Sequence, residues 1–373
     1  MNYKNQLNYN IKYEKFGGIM NYYNKKSLLN SIGDSTDLVD LNLGEASVVI
    51  TEYGGRPLGI FPKLGCYSLL WITPNIKGAI INREWAIGGD RYWISPERDY
   101  FYKNPNSWEG WFCPESLDPA NYQIQEKSAD SCTVFSKISI KNQSTKEHFN
   151  GEIIRKFSLI KEPFFTGVNY CGIEFLENCI LKKGNLKVNG WTLATIISGG
   201  ANNPGTVLIP TKPNPKPLSY FRIIPQDRNK IGENYVSYKI DVSDIYKLAI
   251  RPEDIDYNRA AKIGYILKMP ESEDYGFLVK ISDDIPKTQE DCFDKSRDNP
   301  ESEIGVIQSY NSESPNQPLL NFGEIELQLN PFETENNLSH GKAKHQLFAY
   351  IGSKQEILDV CNKYLGITNP KLF

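Results

Sequence analysis

SCTVFSKISIKNQSTKEHFNGEIIRKFSLIK, residues 131–161, alternates apolar and polar side chains, breaks at a polar turn, and alternates again. A period of two sends successive side chains to opposite faces of a strand, so the stretch predicts a β-hairpin. The same reading extends to YGFLVKIS (275–282), EIGVIQSY (303–310), GEIELQLN (323–330) and HQLFAYIG (345–352). Aromatic residues make up 12% of the chain, with 22 tyrosines, a composition that favours strands over helices. Short strands at fairly regular spacing, with turn signals between them, predict an all-β sandwich or barrel.

Few helices are expected. Ser353 and Glu356 form a capping box, Gly366 supplies a stop, and Ile357, Leu358, Cys361 and Leu365 line one side. This predicts a helix over 353–365 docked on the sheet. IMNYYNKKSLLNSI (19–32) carries a weaker helical pattern. PTKPNPKP (210–217) has proline at four of eight positions and reads as an extended surface run. KTQEDCFDKSRDNPESE (287–303) reads as an exposed charged excursion. Neither breaks the composition sharply enough to be a linker. The expectation is one domain over 41–373, preceded by an extension over 1–40 that carries a short helix.

The 373 residues suffice for one large β domain with a sizeable core. Lys and Arg number 42 against 45 Asp and Glu, and no basic cluster exceeds pairs such as Lys182-Lys183, which argues against nucleic acid as a partner. The opening MNYKNQLNYNIKYEKF lacks the apolar centre of a signal peptide, and no run of about 18 apolar residues appears. A soluble cytoplasmic protein without a membrane partner, monomeric or weakly dimeric, is therefore expected. The seven cysteines are scattered and form no C-x-x-C pair, as suits reduced thiols.

Several chemistries lack their motifs: there is no G-x-x-x-x-G-K-[ST], no G-x-G-x-x-G opening a helix, no G-x-S-x-G and no H-E-x-x-H. DIDYN (254–258) begins like a calcium loop but lacks the glycine and the closing glutamate, and reads as a solvated turn. Of three histidines, His148 falls in a polar turn, and His340 and His345 flank GKAK as a poor metal pair. No metal and no cofactor is expected.

Aromatic and carboxylate chemistry remains. WAIGGDRYWISPERDYFY (85–102) gathers tryptophans, tyrosines, arginines and carboxylates in one stretch, and Trp85, Trp93, Trp108, Trp111 and Trp191 are five of the six tryptophans. Such a stretch is either a core strand with decorated ends or one wall of a polar-ligand site. A sugar site uses these types: indole faces take the apolar face of a pyranose, while Asp, Glu, Asn and Arg take its hydroxyls.

Read in order, the segments resemble the galactose mutarotase (aldose 1-epimerase) superfamily. AIGGDRYWISPE (86–97) is similar to a G-G-x-R-x-W-x-x-P-E signature of a divergent branch, and ITEYGGRPLGIF (50–61) to an early strand of G-G/A-R type. Ile325-Glu326-Leu327-Gln328 occupies the place of the family's L-E-x-Q, and Leu338-Ser339-His340-Gly341 that of its L-x-P-G turn, with His340 for proline. The resemblance covers most of 45–352 through short motifs. It implies a large twisted antiparallel β-sandwich, the supersandwich, with a sugar site on one sheet face and Glu326 as general base. The family's histidine partner is absent: FFTGVNYCGIEFLEN (164–178) contains none.

The resemblance and the residues together suggest an epimerase or mutarotase-like enzyme acting at or near a sugar's anomeric centre. Glu326 and Glu97 are its catalytic candidates, with Glu97 or His345 as replacements for the histidine. Arg91, Trp93, Asn311, Glu324, Arg56, Trp191 and His345 are candidates to hold a sugar or short oligosaccharide. Two further readings stay open, a sugar-binding protein without catalysis and an oligosaccharide lyase or hydrolase, because fold does not choose among them.

Overall fold

The computed structural model describes residues 22–297, 304–312 and 321–373. The strand 131–141 and the strand His148–Leu159 pair antiparallel from Ser131↔Ser158 to Lys141↔His148, as the alternation predicts. Cys132, Val134, Ser136, Ile138 and Ile140 are buried on the core side, and the side chains alternating with them are more exposed. This hairpin belongs to an eleven-stranded sheet, which runs on through Asn169–Leu181 and Leu338–Gly352 to Tyr275–Ile281, Ala261–Lys268 and Gly205–Pro210. All the ladder pairings are antiparallel.

A second sheet of six strands has the order Leu218–Ser219, Tyr246–Ile250, Ile307–Asn311, Gly323–Pro331, Asn189–Ile196 and Asp90–Ser95. Every residue of Asn189–Ile196 and of Asp90–Ser95 is buried, so both faces of this sheet are covered. One face meets the large sheet, forming a core that includes Ile325, Leu327, Leu248, Ile250 and Leu347. A three-stranded sheet, Leu38–Leu43, Ala46–Thr51 and Arg56–Phe61, completes the wrap, and its first strand crosses position 40. The architecture is the large antiparallel β-sandwich expected from the sequence.

The C-terminal helix spans Lys354–Leu365. Ser353 caps it, Glu356 closes the box, and Gly366 ends it in the left-handed region. Ile357, Val360, Cys361, Tyr364 and Leu365 bury against Phe277, Val279, Phe348 and Tyr350 on the outer face of the large sheet. The weaker N-terminal pattern gives a helix at Lys25–Ile32, while 19–21 and the opening sixteen residues lie outside the described residues. All seven cysteines are free. Among the described residues no helix is long and apolar enough to cross a membrane.

The 287–303 stretch departs from expectation over its described part: Cys292, Asp294 and Ser296 are buried. Polar partners draw Asp294 inward, since it accepts hydrogen bonds from the Glu97 amide (3.0 Å) and from Gln308 Nε2 (2.7 Å). Residues 298–303 lie outside the described residues.

Candidate functional site

Gly88 and Gly89 set the strand that carries Arg91. Both have positive φ, and a Cβ would lie 2.0 Å from the Trp71 carbonyl oxygen at Gly88 and 2.3 Å from that of Pro57 at Gly89. Only glycine lets these backbones approach so closely. The strand then pairs with Asn189–Ile196, with Arg91 opposite Leu193 and Trp93 opposite Trp191. Leu193 in turn faces Glu326, and Glu326 faces Gln308. Alternation therefore puts Arg91, Trp93, Trp191, Glu324, Glu326, Gln328, Gln308 and Lys247 on one face of the six-stranded sheet.

Glu326 is fully buried on this face. Its Oε2 takes Lys247 Nζ at 3.0 Å and Trp191 Nε1 at 3.0 Å, while Oε1 has no partner. Lys247 also lies over the Trp191 ring, 4.6 Å from its centroid, and its ammonium is pushed up chiefly by Glu326 against the opposing effect of burial. Glu324 pairs with Arg91 Nη2. Burial drives the Glu324 carboxyl up to about 7 despite Arg91, and Glu326 pushes in the same direction. Arg91 sits over Trp93 at 4.4 Å and Trp85 at 5.3 Å.

Indoles wall the cluster. Trp85 lies 5.7 Å from Trp93 and 5.2 Å from Trp111, and Trp93 lies 5.6 Å from Trp191. Trp111 donates to Glu97 Oε1 at 3.0 Å, and Trp93 donates to Asp118 at 2.9 Å. Asp294, raised to about 6 by burial, adds a carboxyl beside Glu97 and Lys247. Five buried polar atoms on this face lack partners: Arg91 Nε and Nη1, Gln328 Nε2, Glu326 Oε1 and Gln308 Oε1.

The structure brings Arg91, Trp93, Trp191, Glu324, Glu326 and Glu97 into one closely packed neighbourhood. Arg91 is 2%, Glu326 0%, Glu324 6% and Glu97 9% exposed, so the reachable edge lies at the last two. Two surface depressions, at Asn203 with 268–273 and at 124–127 with Glu52, share no residue with this face. Arg56 reaches the cluster only through Asp118, which it shares with Trp93.

Two candidates stand elsewhere. Asn311 accepts from the amides of Asp241 and Val242, each at 3.0 Å, and donates to the Asp244 carbonyl, so its side chain is spent on holding a turn. His345 lies between the sheets, where its Nε2 meets Glu177 Oε1 at 2.9 Å. That inner layer holds a second charged group. Arg155 binds Glu177 at 2.8 Å, and Lys280 binds Asp90 at 2.8 Å and Thr192 at 2.7 Å. Among the described residues no group of three or more His, Cys, Asp or Glu side chains could hold a metal ion.

Sequence reasoning missed Lys247, Asp294, Gln308 and Gln328. Lys247 had a signal: in YKLAI an inward-facing lysine sits among apolar neighbours of a buried strand.

No family model matches the chain, and no curated protein matches it. Among solved structures, a galactose mutarotase-like protein from Lactobacillus casei is similar at 14% identity, over 84% of this chain and 99% of that one, with a TM-score of 0.46. A putative aldose 1-epimerase from Escherichia coli is similar at 7% identity, over 85% and 99%, with a TM-score of 0.47. Galactose 1-epimerase from Lactobacillus acidophilus is similar at 9% identity, over 86% and 96%, with a TM-score of 0.45. The sandwich architecture of the chain rests on its own strand pairing, and the roles of its residues on their own geometry.

Proposed function

We propose that the protein binds a small sugar at the indole-walled face of the six-stranded sheet and acts at its anomeric centre, with Glu326 as general base. The observation that carries this reading is the set of unpartnered buried atoms, donors on Arg91 and Gln328 and acceptors on Glu326 and Gln308. Leaving such atoms unpaired costs about 1–3 kcal/mol each. A ligand with hydroxyls, which both donate and accept, would answer both kinds at once. Trp93 and Trp191, whose faces carry Arg91 and Lys247, would form the apolar floor beneath it. On Glu326, Lys247 and Trp191 occupy one carboxylate oxygen and leave the other to take a proton. Glu97, at the reachable edge, would hold a hydroxyl. A second reading, sugar binding without turnover, is favoured by the position of His345 between the sheets, where no imidazole faces the cluster.

A thermal-stability screen of free sugars tests the binding claim. A ligand at 100 times its dissociation constant adds about 2.7 kcal/mol. Stabilisation by at least one monosaccharide, lost in Arg91→Met, is the expected result; none across neutral hexoses, pentoses and uronic acids would overturn the reading.

A further inference from the structure

Glu324 and Glu326 stand two residues apart on one strand and on one face, which separates their Cβ atoms by about 7 Å. Their surroundings differ in kind. Glu326 has Lys247 and the Trp191 N–H on one oxygen, both of which favour its carboxylate. Glu324 has Arg91 on Oε1 and, among the described residues, no hydrogen bond on Oε2. It also lies at the edge of the cluster that solvent reaches, where Glu326 does not. Resting on the anomeric reading above, we infer that Glu324 is the acid partner of Glu326, supplying the proton that an imidazole does not supply here.

The step balances with these two groups alone. The Glu326 carboxylate removes the proton from the C1 hydroxyl, whose oxygen becomes the aldehyde carbonyl as the bond from C1 to the ring oxygen breaks. The released electron pair goes to the ring oxygen, which takes the proton of the Glu324 carboxyl and becomes a hydroxyl. Rotation about the bond from C1 to C2 presents the other carbonyl face. The reverse transfers then close the ring, returning Glu324 to its acid form and Glu326 to its carboxylate. A carboxyl driven up to about 7 by burial holds its proton near neutral pH, as the acid role requires. The charged groups acting on it are Arg91, which opposes that rise, Glu326, which adds to it, and Lys247, which opposes it.

The test is the pH dependence of anomer interconversion, measured on the full chain with a sugar that stabilises it. Wild type is expected to lose rate above about pH 7 as Glu324 loses its proton. Glu324→Gln is expected to keep sugar affinity, to lose about 10²–10⁴ in rate, and to lose that alkaline limb from its residual rate. Glu324→Asp, which keeps a carboxyl, is expected to retain the limb and recover part of the rate. An alkaline limb unchanged in Glu324→Gln would overturn the assignment, because a residue that only braces Arg91 leaves the limb in place. A wild type that binds sugar without interconverting its anomers would overturn it too, while leaving sugar binding intact. Absence of any sugar binding would remove both.

Discussion

Lys247 Nζ lies 3.0 Å from Glu326 Oε2, with the lysine side chain 3% and the glutamate side chain 0% exposed. A pair so fully removed from water depends on both members, since either charge alone would be stranded in the interior. Lys247→Met is expected to cost about 3–5 kcal/mol, and Lys247→Met with Glu326→Gln to cost less than Lys247→Met alone. Urea unfolding at neutral pH measures both. Equal losses in the single and double variants would show that the charge pair is not what the lysine contributes.

The charge layer between the sheets carries a pH prediction of definite sign. Burial holds the His345 imidazole below its ordinary value, although Glu177 pulls the other way. Above about pH 6.5 the residue is neutral in both folded and unfolded chains. As pH falls below that value the unfolded chain takes up the proton first, so stability is lost. Glu324 and Asp294, both raised by burial, act in the opposite sense and add stability as pH falls. The contribution of His345 is therefore read as a difference. Relative to its own value at pH 8, His345→Gln is expected to lose less stability than wild type between pH 6.5 and pH 5. Parallel profiles for the two proteins would contradict this placement.

Ser353 marks a site where stability and binding are expected to separate. Its side chain accepts from the Glu356 amide, and Glu356 Oε2 accepts from the Ser353 amide at 2.8 Å. Ser353→Ala is expected to cost about 0.5–2 kcal/mol in unfolding free energy. The helix packs on the outer face of the large sheet, away from the indole-walled face, so sugar affinity is expected to stay unchanged. Thermal melts with and without ligand read both quantities.

Much of the fold was legible because it rests on local signals. The alternation over 131–161 and the capping box at 353–356 each name an element without help from the rest of the chain. The glycine pair at 88–89 was legible as a motif, and its cause, close approach to Trp71 and Pro57, is visible only in three dimensions. The site was less legible because burial of charge is decided by distant partners. Asp294 lies in a stretch whose composition reads as solvated, yet hydrogen bonds from Glu97 and Gln308 carry it inside. Asn311 and His345 have the right chemistry for a sugar site, but the first holds a turn and the second belongs to the other sheet. Only the strand order brings Arg91 to Glu324, more than 200 positions away.

The most direct measurement is made on Glu326→Gln, pairing the melting temperature and sugar affinity with the rate at which a freshly dissolved α-anomer interconverts. Glutamine keeps the shape and an acceptor for Trp191, leaves the Lys247 charge without its counter-ion and so lowers stability, and cannot take a proton at neutral pH. The account predicts a folded protein that binds its sugar nearly as wild type does and turns over about 10²–10⁴ times more slowly. A variant that interconverts anomers at the wild-type rate, whatever its stability, would contradict it.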